Sequence, residues 1–139
     1  MSDSARFVWP VRIYYEDTDS GGVVYYANYL RFMERARTER LRQLGFNQEQ
    51  LKNEAGLLFA VHKLSITYQR PACLDDLLLV TAHIERVRKT SLEFKQTISN
   101  AATEQCLCEG QVSIACLDAD SFRPKAVPDY LLRELADVI

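Results

Sequence analysis

The stretch that decides the fold is VRIYYEDTDSGGVVYYANYLRFMERARTERLRQL, residues Val11–Leu44. It opens with a strand pattern at Val11–Tyr15, passes through an acidic turn at Glu16–Gly22, and enters a helical pattern at about Tyr26–Leu44. Gly45 then supplies a stop signal for the helix. The apolar residues of the helical pattern recur three or four positions apart, at Tyr26, Tyr29, Leu30, Met33, Ala36, Leu41 and Leu44. We therefore predict one long amphipathic helix that follows an acidic turn.

The rest of the pattern predicts a sheet. A further helical turn is expected at Asn47–Glu54, and from Leu57 apolar and polar residues alternate with period two. Counting from the N-terminus, the predicted strands are Phe7–Tyr15, Leu57–Gln69, Leu77–Val87, Ser91–Ser99 and Glu104–Leu117, followed by a terminal helix at Asp129–Val138. Within the last strand, Gly110 suggests a bulge.

The expected fold class is α+β, with a five-stranded antiparallel sheet wrapped around one long central helix. Short turns between the later strands favour antiparallel pairing. A helix that is apolar over a wide arc needs a sheet that curls around it. Because uncovered sheet edges invite pairing with a second copy, we also expect an oligomer.

Length and charge narrow the class of protein. The chain has 139 residues, of which 47% are hydrophobic and 26% charged, and its formal net charge is -2. We expect a single domain, residues 1–139, that does not bind nucleic acid, since no global positive field is present. No apolar run approaches the roughly 20 residues that span a bilayer. The N-terminal MSDSARFVWP has an early acid and no apolar segment, so we expect no secretory signal and a cytoplasmic location.

The four cysteines, Cys73, Cys106, Cys108 and Cys116, are expected to be reduced thiols that pack as small buried hydrophobic residues. Cys106 and Cys108 lie two apart in a strand pattern and share a face. A zinc site would need a second such pair or nearby histidines, and neither follows. The sequence therefore predicts no metal.

The acidic turn admits three interpretations. Glu16, Asp17 and Asp19 precede a helix, whose dipole stabilises acids near its N-terminus. Capping explains one acid well but three poorly, and Gly21 and Gly22 suggest a sharp bend or a close approach.

A metal loop is the second interpretation. In a calcium loop counted from Asp17, position five would be Gly21 and position twelve Asn28, and neither is the required ligand. A magnesium-dependent phosphatase with an aspartyl nucleophile needs a parallel sheet with helical crossovers, which these consecutive strands do not provide.

The third interpretation is a carboxylate beside an oxyanion site. The turn would hold one aspartate next to the first free N–H groups of the helix, which stabilise negative charge on a carbonyl oxygen. That carboxylate would attack the carbonyl or activate a water. No Ser-His-Asp pattern competes, because no GxSxG is present and His62 and His83 lie inside predicted strands.

The run from Tyr15 to Tyr29 resembles the active-site segment of hotdog-fold acyl-CoA thioesterases of the hydroxybenzoyl-CoA thioesterase type. It is most similar to the bacterial YbgC-type proteins associated with the Tol–Pal cell-envelope system. Their pattern D-x-D-x-x-G-[IV]-V begins here at Asp17. The segments ERARTERL at 34–41 and RPACLDDLL at 70–78 are also similar to theirs. The resemblance implies the hotdog fold and hydrolysis of an acyl-CoA thioester to free acid and CoA, without a metal or organic cofactor.

The resemblance also implies roles for individual residues. Asp19 would be the catalytic carboxylate, and Tyr26 would supply an oxyanion N–H from its backbone. Some similar proteins carry His where this chain has Tyr26, but a backbone role survives any side chain except proline. Asp17 is expected to be structural. Arg88 and Lys89 would contact the phosphates of coenzyme A, the alternative being an ordinary solvated hairpin turn.

Partners follow from the same resemblance. The family forms dimers that pair into tetramers, with the acyl site at the dimer interface. An alternative function is a scaffold that docks acyl-carrier protein or lipid-synthesis enzymes and hydrolyses weakly. Hydration of an enoyl thioester is a third option, but it relies on an Asp/His pair and no His lies near the motif. The acyl group depends on which residues line the pocket, among Tyr15, Tyr25, Tyr29, Met33, Phe59 and Tyr68.

Overall fold

The computed structural model describes residues 7–139, so most of the segment in which we expect no secretory signal lies outside the described residues. The strands are β1 (Val8–Arg12), β2 (Leu57–Tyr68), β3 (Leu77–Thr81), β4 (His83–Val87), β5 (Ser91–Asn100) and β6 (Cys106–Asp118). The helices are α1 (Asn28–Gln43), α2 (Gln48–Ala55) and α3 (Asp129–Ala136), and a short 3-10 turn occupies Tyr15–Asp17. No helix among these residues is long and apolar enough to cross a membrane.

The predicted antiparallel sheet around one long helix is confirmed. The strands follow the order β1-β3-β5-β6-β2, with β4 also paired to β5, and every pairing is antiparallel. Helix α1 packs against β1, β3 and β5. Its apolar face is buried at Tyr29, Met33, Ala36 and Leu41, as the helical spacing predicts, and Phe32 is buried beside that face.

The strand count differs from the prediction, because the single strand expected at Leu77–Val87 is divided at Ala82. Strand β3 pairs with the end of β5 and β4 with its beginning, so the two halves follow one bent path along the same neighbour. At the break, contacts that involve side chains replace the backbone hydrogen bonds between the strands. The Thr81 hydroxyl accepts a hydrogen bond from the Thr97 N–H at 2.8 Å, and the Thr81 backbone carbonyl accepts one from the Gln96 side chain at 3.0 Å.

The boundaries of the first strand and of the helix also differ from the prediction. Strand β1 ends at Arg12 rather than Tyr15, because the chain curls into the 3-10 turn, and the Tyr15 side chain is exposed. The helix starts at Asn28 rather than Tyr26, whose side chain is exposed. The predicted stop is confirmed: Gly45 has a φ of 97°, which only glycine adopts readily.

The bulge suggested at Gly110 is wrong. Gly110 pairs regularly with Ile66 and Gln96, and the irregularities lie elsewhere, at His62 on β2 for example. A Cβ at position 110 would lie 3.1 Å from the Met33 Cε, closer than ordinary packing allows. Because the helix approaches the sheet closely there, a larger residue at position 110 would have to displace the Met33 side chain.

Two arginines of α1, Arg37 and Arg40, lie on its buried side, although charged side chains are mostly exposed in proteins. The Arg37 Nη1 donates to the Gln96 Oε1 at 2.9 Å, and the Gln96 Nε2 donates back to the Met33 carbonyl of the helix at 3.0 Å. Arg40 lies over the Phe7 ring and donates to the Gln43 Oε1 at 2.6 Å. Burial lowers the pKa of both guanidinium groups, but arginine remains charged at neutral pH.

The four cysteines are free thiols, as expected. Cys108 and Cys116 are buried and Cys106 is half-buried. Cys73 is exposed in the loop between β2 and β3, so the prediction of a buried residue is wrong at that position.

Candidate active site

The acidic turn forms a tight hairpin with Asp19 near its tip. The Asp19 N–H donates to the Val23 carbonyl at 2.9 Å, and the Gly22 N–H donates to the Asp19 carbonyl at 3.1 Å. Thr18 and Val24 form an antiparallel bridge below them. Gly22 has a φ of 82°, so the turn requires glycine at this position. The hairpin fixes the backbone that carries Asp19.

Asp17 has both carboxylate oxygens engaged. One accepts from the Tyr14 N–H at 2.9 Å and the other from the Asn28 side-chain amide at 3.0 Å. Its own carbonyl accepts from the Tyr25 N–H at 2.9 Å. Asp17 therefore joins the end of the first strand, the hairpin and the helix, and the prediction that it is structural is confirmed.

Asp19 differs from Asp17 in having a free oxygen. It is exposed, and its Oδ1 accepts a hydrogen bond from the Gly21 N–H at 2.8 Å. Among residues 7–139 its Oδ2 accepts no hydrogen bond. Of the two aspartates in the motif, Asp19 is the one with an oxygen available for chemistry.

Tyr26 lies in the turn that leads into α1. The Asn28 N–H donates to the Tyr25 carbonyl at 2.8 Å and closes that turn. Within the described part of the chain, the N–H groups of Tyr26 and Ala27 donate to no other group. They are thus free donors at the helix entrance, the position where anions and developing negative charge are stabilised.

The loop between β2 and β3 packs against this entrance. The Tyr29 hydroxyl accepts a hydrogen bond from the buried Ala72 N–H at 2.9 Å, and the Ala72 carbonyl accepts one from the Val24 N–H at 2.9 Å. Val23 and Cys73 form a further bridge. The fold thus brings together the two motif segments, at residues 15–29 and 70–78, that lie far apart in sequence.

Tyr68 contacts the helix entrance, which the sequence does not predict. Its hydroxyl donates to the Tyr26 carbonyl at 3.1 Å, and its ring lies 5.6 Å from that of Tyr29. The sequence names Tyr68 only among aromatic residues that could line a pocket. Nothing in the local pattern indicates a contact across 42 positions.

Arg88 and Lys89 are not brought to the acidic turn within one protomer. Both are exposed in the hairpin between β4 and β5, at the Ser91 end of β5. The acidic turn lies at the other end of that strand, as the pairing of β1, β3 and the last residues of β5 shows. Nine residue steps along a strand cover about 30 Å. The Arg88 Nε also lies 3.5 Å from the Glu93 Oε1, which partly neutralises it.

Two surface cavities lie near the helix and the turn. One, of about 550 Å³, borders the start of the acidic turn and is lined by Ile13, Tyr14, Tyr15, Glu16, Leu74 and Asp75. The other, of about 590 Å³, lies between α1 and β2 and is lined mainly by Leu30, Arg31, Glu34, Arg35, Val61 and Leu64. Asp19 lines neither of them. Its side chain is exposed to solvent.

Comparison with known proteins places the chain in a family. The model of the Thioesterase superfamily matches residues 21–107. The chain belongs to this superfamily. It is 47% identical over 132 residues to an Acyl-CoA thioester hydrolase YbgC of Escherichia coli O157:H7, covering 95% of this chain and 97% of that protein. It is 46% identical over 122 residues to the Acyl-CoA thioesterase YbgC of Haemophilus influenzae, covering 88% of each.

Solved structures agree with the family assignment. A probable thioesterase from Bartonella henselae superposes with a TM-score of 0.82 at 35% identity, covering 88% of this chain and 99% of that one. A 1,4-dihydroxy-2-naphthoyl-CoA thioesterase from Synechocystis gives a TM-score of 0.88 at 22% identity, covering 96% and 97%, which bears on the fold alone. The hotdog thioesterase fold and the resemblance to YbgC-type proteins are therefore confirmed.

Proposed function

We propose that this thioesterase-superfamily chain is a hydrolase that cleaves an acyl-CoA thioester to the free acid and CoA, with Asp19 as the catalytic carboxylate. The observation that carries the proposal is the Asp19 Oδ2, which accepts no hydrogen bond within residues 7–139, in a chain 47% identical to an acyl-CoA thioester hydrolase. The N–H groups of Tyr26 and Ala27, which are free of partners within residues 7–139, support an oxyanion site at the helix entrance.

The chemistry proceeds in balanced steps. In one route the Asp19 carboxylate removes a proton from water, and the resulting hydroxide adds to the thioester carbonyl carbon. In the other, the carboxylate itself adds and forms an anhydride that water then hydrolyses. Either addition puts negative charge on the carbonyl oxygen, which the N–H group of Tyr26 stabilises. Collapse breaks the C–S bond and expels the CoA thiolate, which takes up a proton. Neither route needs a metal or an organic cofactor.

The active protein is proposed to be a dimer that pairs into tetramers. Strand β2 is the last strand of the sheet, and within residues 7–139 its outer side pairs with no other strand. It has 12 residues and exposes apolar side chains at Val61 and Leu64. A long edge strand of this kind is suited to pairing with a second copy about a two-fold axis.

A dimer would also supply the acyl pocket and the contacts to CoA phosphates, which the described residues of a single chain do not bring to Asp19. Asp19 lines neither of the two cavities described above, so the acyl pocket is proposed to form at the interface between two copies. Arg88 and Lys89 lie about 30 Å along β5 from the acidic turn. Contacts from these residues to CoA phosphates would therefore come from another protomer.

Finer features of the proposal rest on the YbgC-type resemblance. We propose a single domain over residues 1–139, a cytoplasmic location and an association with the Tol–Pal system. Acyl-carrier protein is the further partner to test, because a scaffold role remains the alternative to efficient hydrolysis.

The deciding experiment measures thiol release from a panel of acyl-CoA thioesters, from short aliphatic to long-chain and aromatic. Wild type is compared with Asp19→Asn and with Asp120→Asn, an exposed aspartate outside the acidic turn. We expect Asp19→Asn to lower kcat by about 10²- to 10⁴-fold and Asp120→Asn to leave it unchanged. Near-normal turnover by Asp19→Asn would refute its catalytic role. Copurification with acyl-carrier protein and no hydrolysis of any thioester by wild type would favour the scaffold.

A further inference from the structure

The hydroxyl of Tyr68 contacts the backbone at the entrance of helix α1. Tyr68 is the last residue of β2, and its hydroxyl donates to the backbone carbonyl of Tyr26 at 3.1 Å. The two rings also meet edge to face, with centroids 6.4 Å apart. A side chain from the sheet therefore holds the backbone of the helix entrance.

This contact restricts the direction of the free N–H groups. The Tyr26 carbonyl and the Ala27 N–H belong to one planar trans peptide unit, so they point in opposite directions. When the carbonyl is held toward Tyr68, the Ala27 N–H is held away from it. The neighbouring peptide unit, which carries the Tyr26 N–H, is joined to the first at the Tyr26 Cα, and its freedom is reduced as well.

Few other contacts among the described residues restrict the orientation of the Tyr26–Ala27 peptide. The turn is closed by one backbone hydrogen bond, from the Asn28 N–H to the Tyr25 carbonyl. Within the described residues that bond involves neither the carbonyl of Tyr26 nor its N–H. Among residues 7–139, the Tyr68 hydroxyl is the side-chain group that hydrogen-bonds to this peptide from outside the turn.

The Tyr68 hydroxyl acts as the hydrogen-bond donor in this contact and stays protonated at neutral pH. A backbone carbonyl can only accept, so the Tyr68 hydroxyl must be protonated to make the bond. Burial raises the pKa of Tyr68 above its usual value, so the hydroxyl keeps its proton at neutral and mildly alkaline pH.

We propose that Tyr68 is a positioning residue for thioester hydrolysis, whose hydroxyl fixes the Tyr26–Ala27 peptide and so aims the N–H donors at the developing oxyanion. This inference rests on the proposed function. Tyr68 acts through the backbone of Tyr26 and does not touch the reacting atoms. Tyr68 should therefore affect the rate of the chemical step rather than substrate binding.

The test compares Tyr68→Phe with Tyr130→Phe. Tyr130 is a matched control, because its side chain has the same 43% exposure and also contacts an aromatic ring, that of Phe46. It lies on α3, which packs against β4 rather than the helix entrance. Both substitutions remove one hydroxyl and keep the ring, and thermal unfolding shows whether each variant is folded.

We expect Tyr68→Phe to lower kcat about tenfold, because misaimed oxyanion donors lose part of their effect. KM should stay within about twofold of the wild-type value, since a group that acts only in the chemical step changes kcat. Tyr130→Phe should keep both constants. In backbone amide NMR spectra, the signals of Tyr26 and Ala27 should move in Tyr68→Phe and stay in place in Tyr130→Phe.

An unchanged kcat in folded Tyr68→Phe would overturn the inference, and so would a rise in KM alone, which would mean substrate contact. These results are separable from failure of the proposed function. If Asp19→Asn retains turnover, the catalytic assignment fails. If Asp19→Asn is inactive while Tyr68→Phe is fully active, only the positioning role fails.

Discussion

The carboxylate of Asp17 accepts a hydrogen bond from the Asn28 side-chain amide at 3.0 Å, and this contact joins the acidic turn to the first residue of α1. Asn28 is buried, so its amide needs a protein partner. The two aspartates, two positions apart, therefore differ in their contacts. Both Asp17 oxygens are hydrogen-bonded, whereas within residues 7–139 the Asp19 Oδ2 accepts no hydrogen bond.

The first prediction separates the two aspartates by stability. Asp17→Asn should lower the free energy of unfolding by about 1–3 kcal/mol. The Tyr14 N–H and the Asn28 amide donate to different carboxylate oxygens, and in asparagine one of these oxygens is replaced by an NH2 group that cannot accept. Asp19→Asn should change it by less than about 0.5 kcal/mol, because its side-chain carbonyl can still accept from Gly21. Urea unfolding measures both values. Equal losses would contradict the assigned roles.

The second prediction concerns the space beside Asp19. A Cβ at Gly21 would lie 3.2 Å from the Asp19 Oδ1, so Gly21→Ala should displace the carboxylate. We expect kcat to fall by roughly tenfold to a hundredfold, since small misplacements of a reacting group are costly. Ser20→Ala, an exposed position in the same turn, is the control and should keep wild-type kcat. Normal turnover in folded Gly21→Ala would show that the carboxylate tolerates this displacement.

The third prediction tests the polar link between helix and sheet. Gln96→Leu removes the acceptor of the buried Arg37 guanidinium and the donor to the Thr81 and Met33 carbonyls. It should lower the free energy of unfolding by about 2–4 kcal/mol, because a buried cation is left without its partner. Gln111→Leu, at an exposed position of β6, should change it by less than about 0.5 kcal/mol. Chemical denaturation measures the free energy of unfolding of both variants. Similar losses in the two would argue against a stabilising contact between Arg37 and Gln96.

The fourth prediction distinguishes the thiols. Burial raises the pKa of Cys108 to about 12, so at pH 8 roughly one molecule in ten thousand carries the thiolate there. Iodoacetamide at pH 8 should therefore modify exposed Cys73 first and leave buried Cys108 and Cys116 unmodified in the folded protein. Peptide mass spectrometry locates the label. In urea all four cysteines should react, and rapid labelling of native Cys108 would contradict its burial.

Predictions from the sequence succeeded where the signal was local. The helical spacing identified α1, and Gly45 marked its end because a left-handed residue is needed there. The start of the helix was placed two residues early, at Tyr26. The turn before the helix continues the apolar pattern, and spacing alone does not show which hydrogen bonds form.

The candidate site was predicted less completely than the fold. The resemblance selected Asp19 and Tyr26, whose catalytic roles stay predictions. Within residues 7–139 the Asp19 Oδ2 and the Tyr26 N–H have no hydrogen-bond partner. The resemblance also selected Arg88 and Lys89, which lie at the far end of β5. Residue types and motif positions carry no information about which end of a strand faces the acidic turn.

The sequence by itself determined where strands and helices follow one another along the chain, and where the tight acidic turn lies. Periodicity and glycine positions report on interactions between residues that are near neighbours in sequence. Only the tertiary structure decided that Tyr68 meets Tyr26 across 42 positions and that Arg37 meets Gln96 across 59. It also decided that Gly110 makes room for Met33. Such contacts depend on strand order, register and the depth at which the helix lies on the sheet. Those features arise when the whole core packs at once, and no short segment encodes them.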